Sequence, residues 1–264
     1  MRLALGIDFN GSAYRGWQTQ QAGIRSVQET LEQAIAKVAN HPVTVIAAGR
    51  TDAGVHASGM VAHFDTGAER STRNWLLGVN TQLPADIALR WITPVSDDFH
   101  ARFKAVARRY RYVIYNHPLR SSLLADMVTW HHYALDIQRM QAAASHLLGR
   151  HDFTSFRAVG CQAKHAVREV QFLTLTQKGP FIVLDIQADG FLHHMVRNIV
   201  GVLLAVGQGK AESGWAAEVL AARDRTLAGV TAPGTGLYFV DALYPAEFLL
   251  PRELLGPAFL QGLV

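Results

Sequence analysis

The stretch VTVIAAGRTDAGVHASGMVAHF, residues 43–64, sets the reading of the chain. Val43, Val45 and Ile46 read as a buried strand, Val55 to Phe64 as another, and Gly49 to Gly54 as the connection between them. Gly49 and Gly54 open that connection to positive φ, and the missing side chains let a ligand come close to the backbone. Asp52 lies within it, two residues from Arg50, and a cation that near favours the ionised carboxylate. An ionised aspartate can attack a carbon centre, which makes Asp52 the candidate nucleophile and Arg50 its support. A surface turn in which Asp52 accepts from local amides and Arg50 is solvated has the same composition. The loop residues alone leave both readings open.

Outward from this loop, strand and helix patterns are mixed. Met1 to Phe9 alternates apolar side chains at Leu3, Leu5, Ile7 and Phe9 and predicts a strand. Ser26, with Glu29 three residues later, has the form of a capping box, and Val27, Leu31, Ile35 and Val38 make the apolar stripe of a first helix. A second helix is predicted from Ser71, carrying Trp75, Leu76 and Val79, followed by an extended Ile87 to Ile92. Asp136 is placed to cap a third, with Met140, Ala143, Ala144 and Leu147 inward. Strands follow at Val167 to Thr176 and Phe181 to Gln187, helices near Leu192 to Val206 and Gly214 to Ala222, and a last strand at Leu237 to Leu243. This mixture, with hairpins, predicts an α+β fold rather than a parallel doubly wound sheet. Periodicity breaks from Asn116 to Ser122, which predicts a division into residues 1–116 and 117–264.

At 264 residues and 49% hydrophobic, the chain can bury a sizeable core in one large domain or two modest ones. Met1 to Phe9 is interrupted by Asp8 and does not read as a secretory signal. The longest apolar run, near Ile199 to Val206, is too short to cross a bilayer, so a cytoplasmic protein without a membrane partner is expected. A single cysteine, Cys161, allows no internal disulfide and forms no ligand cluster, and the adjacent His193 and His194 lack the i, i+4 spacing of a helical zinc motif. No metal is expected. Gly207 to Ala211 lacks the glycine spacing and the Ser or Thr of a phosphate loop, so ATP is not expected either.

The net charge is +4, but Arg102, Lys104, Arg108, Arg109 and Arg111 fall close together with no acid among them. Such a patch can neutralise phosphates, or it can be a solvated strand edge kept soluble by its charge. In an extended Val106 to Asn116, Arg108, Tyr110, Tyr112 and Ile114 face one way and Arg109, Arg111, Val113 and Tyr115 the other. Tyr110 can therefore line an internal pocket while Arg109 and Arg111 meet solvent or a polyanion. Arg197 sits among Met195, Ile199, Val202 and Val206 on a predicted helix, where a cation is costly unless paired; the ordinary alternative is a surface arginine with a snorkelling stem.

Several runs recur in order along nearly the whole chain: Ile7 to Ser12, Tyr14 to Gln18, Ser26 to Glu29, Gly49 to His56, Phe99 to Phe103, Ala107 to Tyr112, Asp152 to Arg157, Phe191 to Gly201 and Gly236 to Tyr238. Together they resemble the tRNA pseudouridine synthase A family. The resemblance implies two similar α/β halves, with mostly antiparallel sheets forming a central RNA-binding cleft. It implies a homodimer that isomerises uridine to pseudouridine at positions 38, 39 and 40 of the tRNA anticodon stem-loop. Substrate and product hold the same atoms, so no cofactor is required.

By the same resemblance Asp52 starts the reaction, attacking C1′ or removing the C2′ proton, and Arg50 assists base flipping. Tyr110 stacks on the uracil and is the candidate to receive the C5 proton. Arg197 is the basic residue partnered with Asp52, and Leu237 packs beside the target ring. Phe99, His100, Ala101, Arg102 and Phe103, the basic strand with Arg108, Arg109 and Arg111, and a mobile loop of Gly160, Cys161, Gln162, Ala163 and Lys164 would contact RNA. The chain departs from the family in a longer loop at Gln20 to Arg25 and in Pro118. Two other classes remain: an RNA-binding module without chemistry, and an aspartate glycosidase, which would need a second carboxylate that is not identifiable near Asp52.

Overall fold

Residues 1–264 are described by the computed structural model apart from Ala22, Glu253, Leu254, Leu263 and Val264. Ala22 belongs to the Gln20 to Arg25 loop expected to be longer than usual, and that part of the expectation lies outside the described residues. The first compact unit comprises Met1–Val106 and Tyr238–Gln261. It opens with β1 (Arg2–Phe9) and α1 (Val27–Ala39). Ser26 caps α1 by accepting from the Glu29 amide at 3.3 Å, and Val27, Leu31 and Ile35 are buried as their spacing predicts. Val38 is only half-buried, and Ala34 and Ala39 complete the inner stripe instead.

The strand predicted at Val43 to Ile46 shrinks to β2 (Ile46–Ala47). The cause is local: the Val45 amide donates to the Glu32 side chain at 2.9 Å rather than to a strand. β3 (His56–Asp65) follows, then α2 (Thr72–Gln82) and β4 (Ile87–Val95). Ser71 caps α2 through the Asn74 amide, and Trp75 meets Phe64 edge-on at 5.6 Å. β1 pairs antiparallel with both β3 and β4, β2 pairs with β3, and α2 packs on β4 and α1.

The second unit is Ala107–Leu237 with Gly262. It holds β5 (Ala107–Asn116), β6 (Thr129–His131), α3 (Ile137–Ser145), β7 (Gly149–Asp152), β8 (Val167–Lys178), β9 (Phe181–Ala188), α4 (Met195–Gly207) and α5 (Trp215–Ala222). β5, β9, β8 and β7 pair antiparallel in that order, and β6 adds parallel to β5. Asp136 caps α3 by accepting from the Gln138 and Arg139 amides at 2.9 and 3.1 Å. α3 packs on α4 and β8.

Instead of a single apolar stripe, α4 buries Val196, Asn198, Val200, Gly201 and Leu203 as well as Met195, Ile199, Val202 and Val206. A Cβ on Gly201 would stand 1.8 Å from the Val230 carbonyl oxygen, so only glycine lets that segment run against the helix.

β10 (Leu237–Leu243) carries the chain back, and from Tyr238 onward it belongs to the first unit, parallel to β3 with Tyr238 opposite His56. β5 thus groups with the residues after it, and the last strand with those at the start. The strands pair mostly antiparallel and the fold is α+β, as the pattern predicts. Among the described residues, no helix is long and apolar enough to cross a membrane.

Candidate active site

Asp52 sits in the connection from β2 to β3, half-buried between a buried Thr51 and an exposed Ala53, with Arg50 exposed. Gly54 takes the left-handed backbone at φ 75°, and the Val55 amide closes the turn on the Asp52 carbonyl at 3.2 Å. The outer side of this turn is held by residues near the start of the chain. The Trp17 amide donates to the Thr51 carbonyl at 3.0 Å, and the Gly54 amide to the Tyr14 carbonyl at 3.4 Å. Gly16, at φ 98°, approaches so closely that a Cβ would stand 2.6 Å from the Thr51 carbonyl oxygen. The Gly11 amide donates to Nδ1 of the buried His56 at 3.0 Å, and that ring stacks on Tyr238 at 4.7 Å.

Tyr14 anchors this splint. Its hydroxyl donates to Asp86 at 2.6 Å and accepts from Arg25 at 2.8 Å, and the Arg25 guanidinium lies over its ring. Burial, followed by the hydrogen bond to Asp86, holds the phenol well above its ordinary pKa. The sequence shows the Gly11 to Trp17 run but not its role, because its partners lie far along the chain.

In the Phe99 to Phe103 run, Phe99 and Ala101 are core residues. Phe99 packs against Tyr244 and Phe248 at 5.2 and 5.1 Å, and the Ala101 carbonyl accepts from the Tyr244 hydroxyl at 2.6 Å. Arg102 is exposed, Phe103 is 74% exposed, and His100 stacks on Phe103 at 4.3 Å with the Arg102 guanidinium over the same ring at 5.6 Å. His63, which sequence reasoning did not single out, lies behind them, 4.8 Å from the His100 ring. Burial first, then Arg2 and His100, push its pKa down to about 4.

A histidine held neutral in the fold loses stability as pH falls from its unfolded value near 6.5 toward 4, because the unfolded chain gains the proton first. The expected loss is about 3 kcal/mol across that window. Denaturant unfolding at pH 7 and pH 4 should show His63→Gln losing about that much less than wild type; parallel losses would contradict the assignment.

In the second unit, Tyr110 on β5 is buried edge-on against Phe191 at 5.0 Å. Arg108 donates to the Asp189 carbonyl at 3.2 Å. Arg109 and Arg111 do not simply face solvent. Asp185 of β9 accepts from Arg109 through both oxygens at 2.7 Å and from Arg111 at 2.8 Å. Arg111 stands directly opposite Asp185 in the strand register, and the two are 7% and 5% exposed. The counter-charge comes from across the sheet, where a run of basic residues read alone cannot show it.

Arg197 is half-buried on α4. Its Nε donates to the Ala232 carbonyl at 2.8 Å, and the Ala232 amide donates to the Arg197 carbonyl at 3.1 Å. Tyr112 takes the next carbonyl, Pro233, at 2.9 Å while its hydroxyl also meets Thr129 at 2.6 Å. The Val113 amide reaches Gly236 at 2.8 Å. Asn198, 0% exposed amid apolar neighbours, binds the Phe156 carbonyl and accepts from Thr231 and Arg225. Residues 231–236 thus form a strap pinned at successive positions, and it delivers the buried Leu237.

The Gly160 to Lys164 loop is also tied down, since Arg157 donates to the Cys161 and Ala163 carbonyls at 2.5 and 3.0 Å. Gly160, Gln162 and Lys164 are its exposed residues. Burial raises the Cys161 thiol, but the Ala163 and His193 amides and Arg157 leave it below its ordinary value.

The first unit therefore carries Arg50 and Asp52 on one braced turn. In the second, Arg197 and Tyr112 brace the strap that ends at Leu237, with Tyr110 two residues along the strand from Tyr112.

The sequence profile described as tRNA pseudouridine synthase matches residues 7–104 and 143–245. Among curated proteins, the tRNA pseudouridine synthase A of Pseudomonas aeruginosa is 58% identical over 262 residues, 99% of this chain and 92% of that protein. Its namesake from Alcanivorax borkumensis is 56% identical over 98% of this chain and 97% of that protein. The one from Acinetobacter baumannii strain AYE is also 56% identical, over 98% of each. The Asp52 turn, its Gly11 to Trp17 splint, and the runs on α4 and before β10 all fall inside the matched residues, and the chain belongs to the tRNA pseudouridine synthase family.

Proposed function

We propose that this chain isomerises uridine to pseudouridine at positions 38, 39 and 40 in the anticodon stem-loop of tRNA, with Asp52 starting the reaction. The observation that carries the reading is the braced turn: a half-buried carboxylate on a loop held from outside by Gly16, Trp17 and Tyr14, in a chain of this family. The N1–C1′ bond breaks, the retained uracil turns, and C5 bonds to C1′. The C5 proton then leaves, and N1 takes one up. Asp52 serves as the nucleophile at C1′ or as the base at C2′.

Tyr110 offers an aromatic face to the extruded base and is the candidate acceptor for the C5 proton. Leu237 packs beside the ring, and Arg197 supplies the positive charge that accompanies Asp52. Arg50, exposed beside the turn, supports flipping, which costs a few kcal/mol of lost stacking. Arg102 and Arg108 meet phosphates, and the Arg109–Asp185–Arg111 cluster keeps one net positive charge in a fixed place. Gln162 and Lys164 add contacts from their loop. Recognition by shape suits an A-form stem. In functional terms residues 1–116 supply the catalytic turn and basic strand, and residues 117–264 supply Arg197 and Leu237. The enzyme acts in the cytoplasm as a homodimer.

Tritium release from C5-labelled transcripts bearing uridine at 38, 39 or 40 tests this reading. Release is expected from each, and none from transcripts with cytidine at those positions. Binding without release from any of them would leave an RNA-binding protein that performs no chemistry.

A further inference from the structure

Three consecutive main-chain N–H groups in the turn after Phe99 end on histidine rings. The Ala101 amide donates to His63 Nδ1 at 3.2 Å, and the Arg102 and Phe103 amides both donate to His100 Nδ1 at 3.2 Å. His63 is 2% exposed, lies opposite Ile46 in the β2–β3 register, and also hydrogen-bonds the Ile46 backbone. Nδ1 accepting while the other nitrogen donates to a carbonyl is the neutral tautomer. Arg2, His100 and Asp65 face this ring, and Arg2 is held by Asp65 through two bonds of 2.8 Å. Arg2 also donates to the Phe99 carbonyl at 2.7 Å, so the start of the turn is fixed from the same side.

β2 runs straight into the Asp52 turn. One buried ring thus ties the strand leading to Asp52 to the turn that presents Phe103 and Arg102. A phenylalanine that is largely exposed, backed by a stacked histidine and with a guanidinium 5.6 Å from its ring centre, is suited to stack on an RNA base beside a phosphate. We propose that His63 is a positioning residue for the isomerisation: it holds the Arg102–Phe103 platform at a set distance from the Asp52 turn, so that RNA stacked on Phe103 is delivered to the carboxylate. This rests on the function proposed above and adds a residue that never touches the RNA.

The test is a double-mutant cycle with steady-state kinetics and direct tRNA binding. His63→Leu should raise KM and the tRNA Kd about tenfold, the scale of one lost stacking contact, with kcat within about twofold. His63→Gln offers one acceptor and one donor and should stay within about threefold of wild type. Phe103→Ala should match His63→Leu, and the double variant should be no worse than either alone, because both lose the same platform. Losses that multiply, or a glutamine variant as poor as leucine, would overturn the proposal. If His63→Leu does not fold, His63→Asn, whose shorter amide cannot span both partners, takes its place in the cycle. The Kd arm reads the proposal even if wild type releases no tritium, a result that would count against the isomerase reading alone.

Discussion

Asp52→Asn should lower tritium release from C5 by about 10⁴-fold or more, roughly 5 kcal/mol of barrier, while tRNA affinity stays within about threefold of wild type. Asparagine keeps the shape of the side chain but is neither a useful nucleophile toward C1′ nor a base toward C2′, so both routes lose their first step. The shape of the turn is set by main-chain hydrogen bonds from Trp17, Gly54 and Val55, and these survive the change. Removing a negative charge that faces a polyanion cannot weaken the electrostatic part of binding. Kinetics at equal RNA occupancy, with a thermal melt of the same preparation, separate chemistry from folding. A variant that kept more than a few percent of wild-type rate would remove Asp52 from the chemistry.

The second large effect is on stability. Asp185→Ala should destabilise the fold by about 3–5 kcal/mol, because it removes the one carboxylate shared by two guanidinium groups within the β5–β9 pair. Arg111 is nearly as buried as Asp185, and Arg109 has its guanidinium over the Phe172 ring at 4.7 Å, so neither can swing into water without giving up packing. Urea unfolding at pH 7 measures the loss, and a change under about 1 kcal/mol would mean that water reaches the cluster after all. Asp185→Asn keeps the acceptor oxygen and the volume but not the charge, and it should fall between wild type and Asp185→Ala.

Much of the fold was legible because its cues are local. Ser26, Ser71 and Asp136 announce their helices through a side-chain oxygen and an amide two or three residues away, and the last strand could be bounded from its apolar run. The Asp52 turn was legible for the same reason, as glycine and charge between two strands. β6 and β7 were not, being too short to show a period. β2 was overestimated because Glu32, eleven residues before Val43, takes the Val45 amide.

The basic strand was read correctly as a strand, but its counter-ion lies 74 residues away and is joined only by sheet register. His63 gave no signal, since a histidine in an alternating strand is usually a satisfied core residue, and only the three amides ending on His63 and His100 set it apart. Asn198 could have been found as the one amide inside an apolar helix, where a polar side chain must have partners.

The return of β10 to the first unit bears on how the chain acquires its shape during synthesis. Tyr238 stacks on His56, Tyr244 holds Ala101, and Phe248 closes over Phe99, so the unit that bears Asp52 is unfinished until Tyr238 to Phe248 has been made and is free to fold back. The unit of Ala107–Leu237, continuous apart from Gly262, has nearly all its parts earlier. A chain cut short of Tyr238 would leave the Asp52 turn without the partners that Tyr238, Tyr244 and Phe248 provide to its unit.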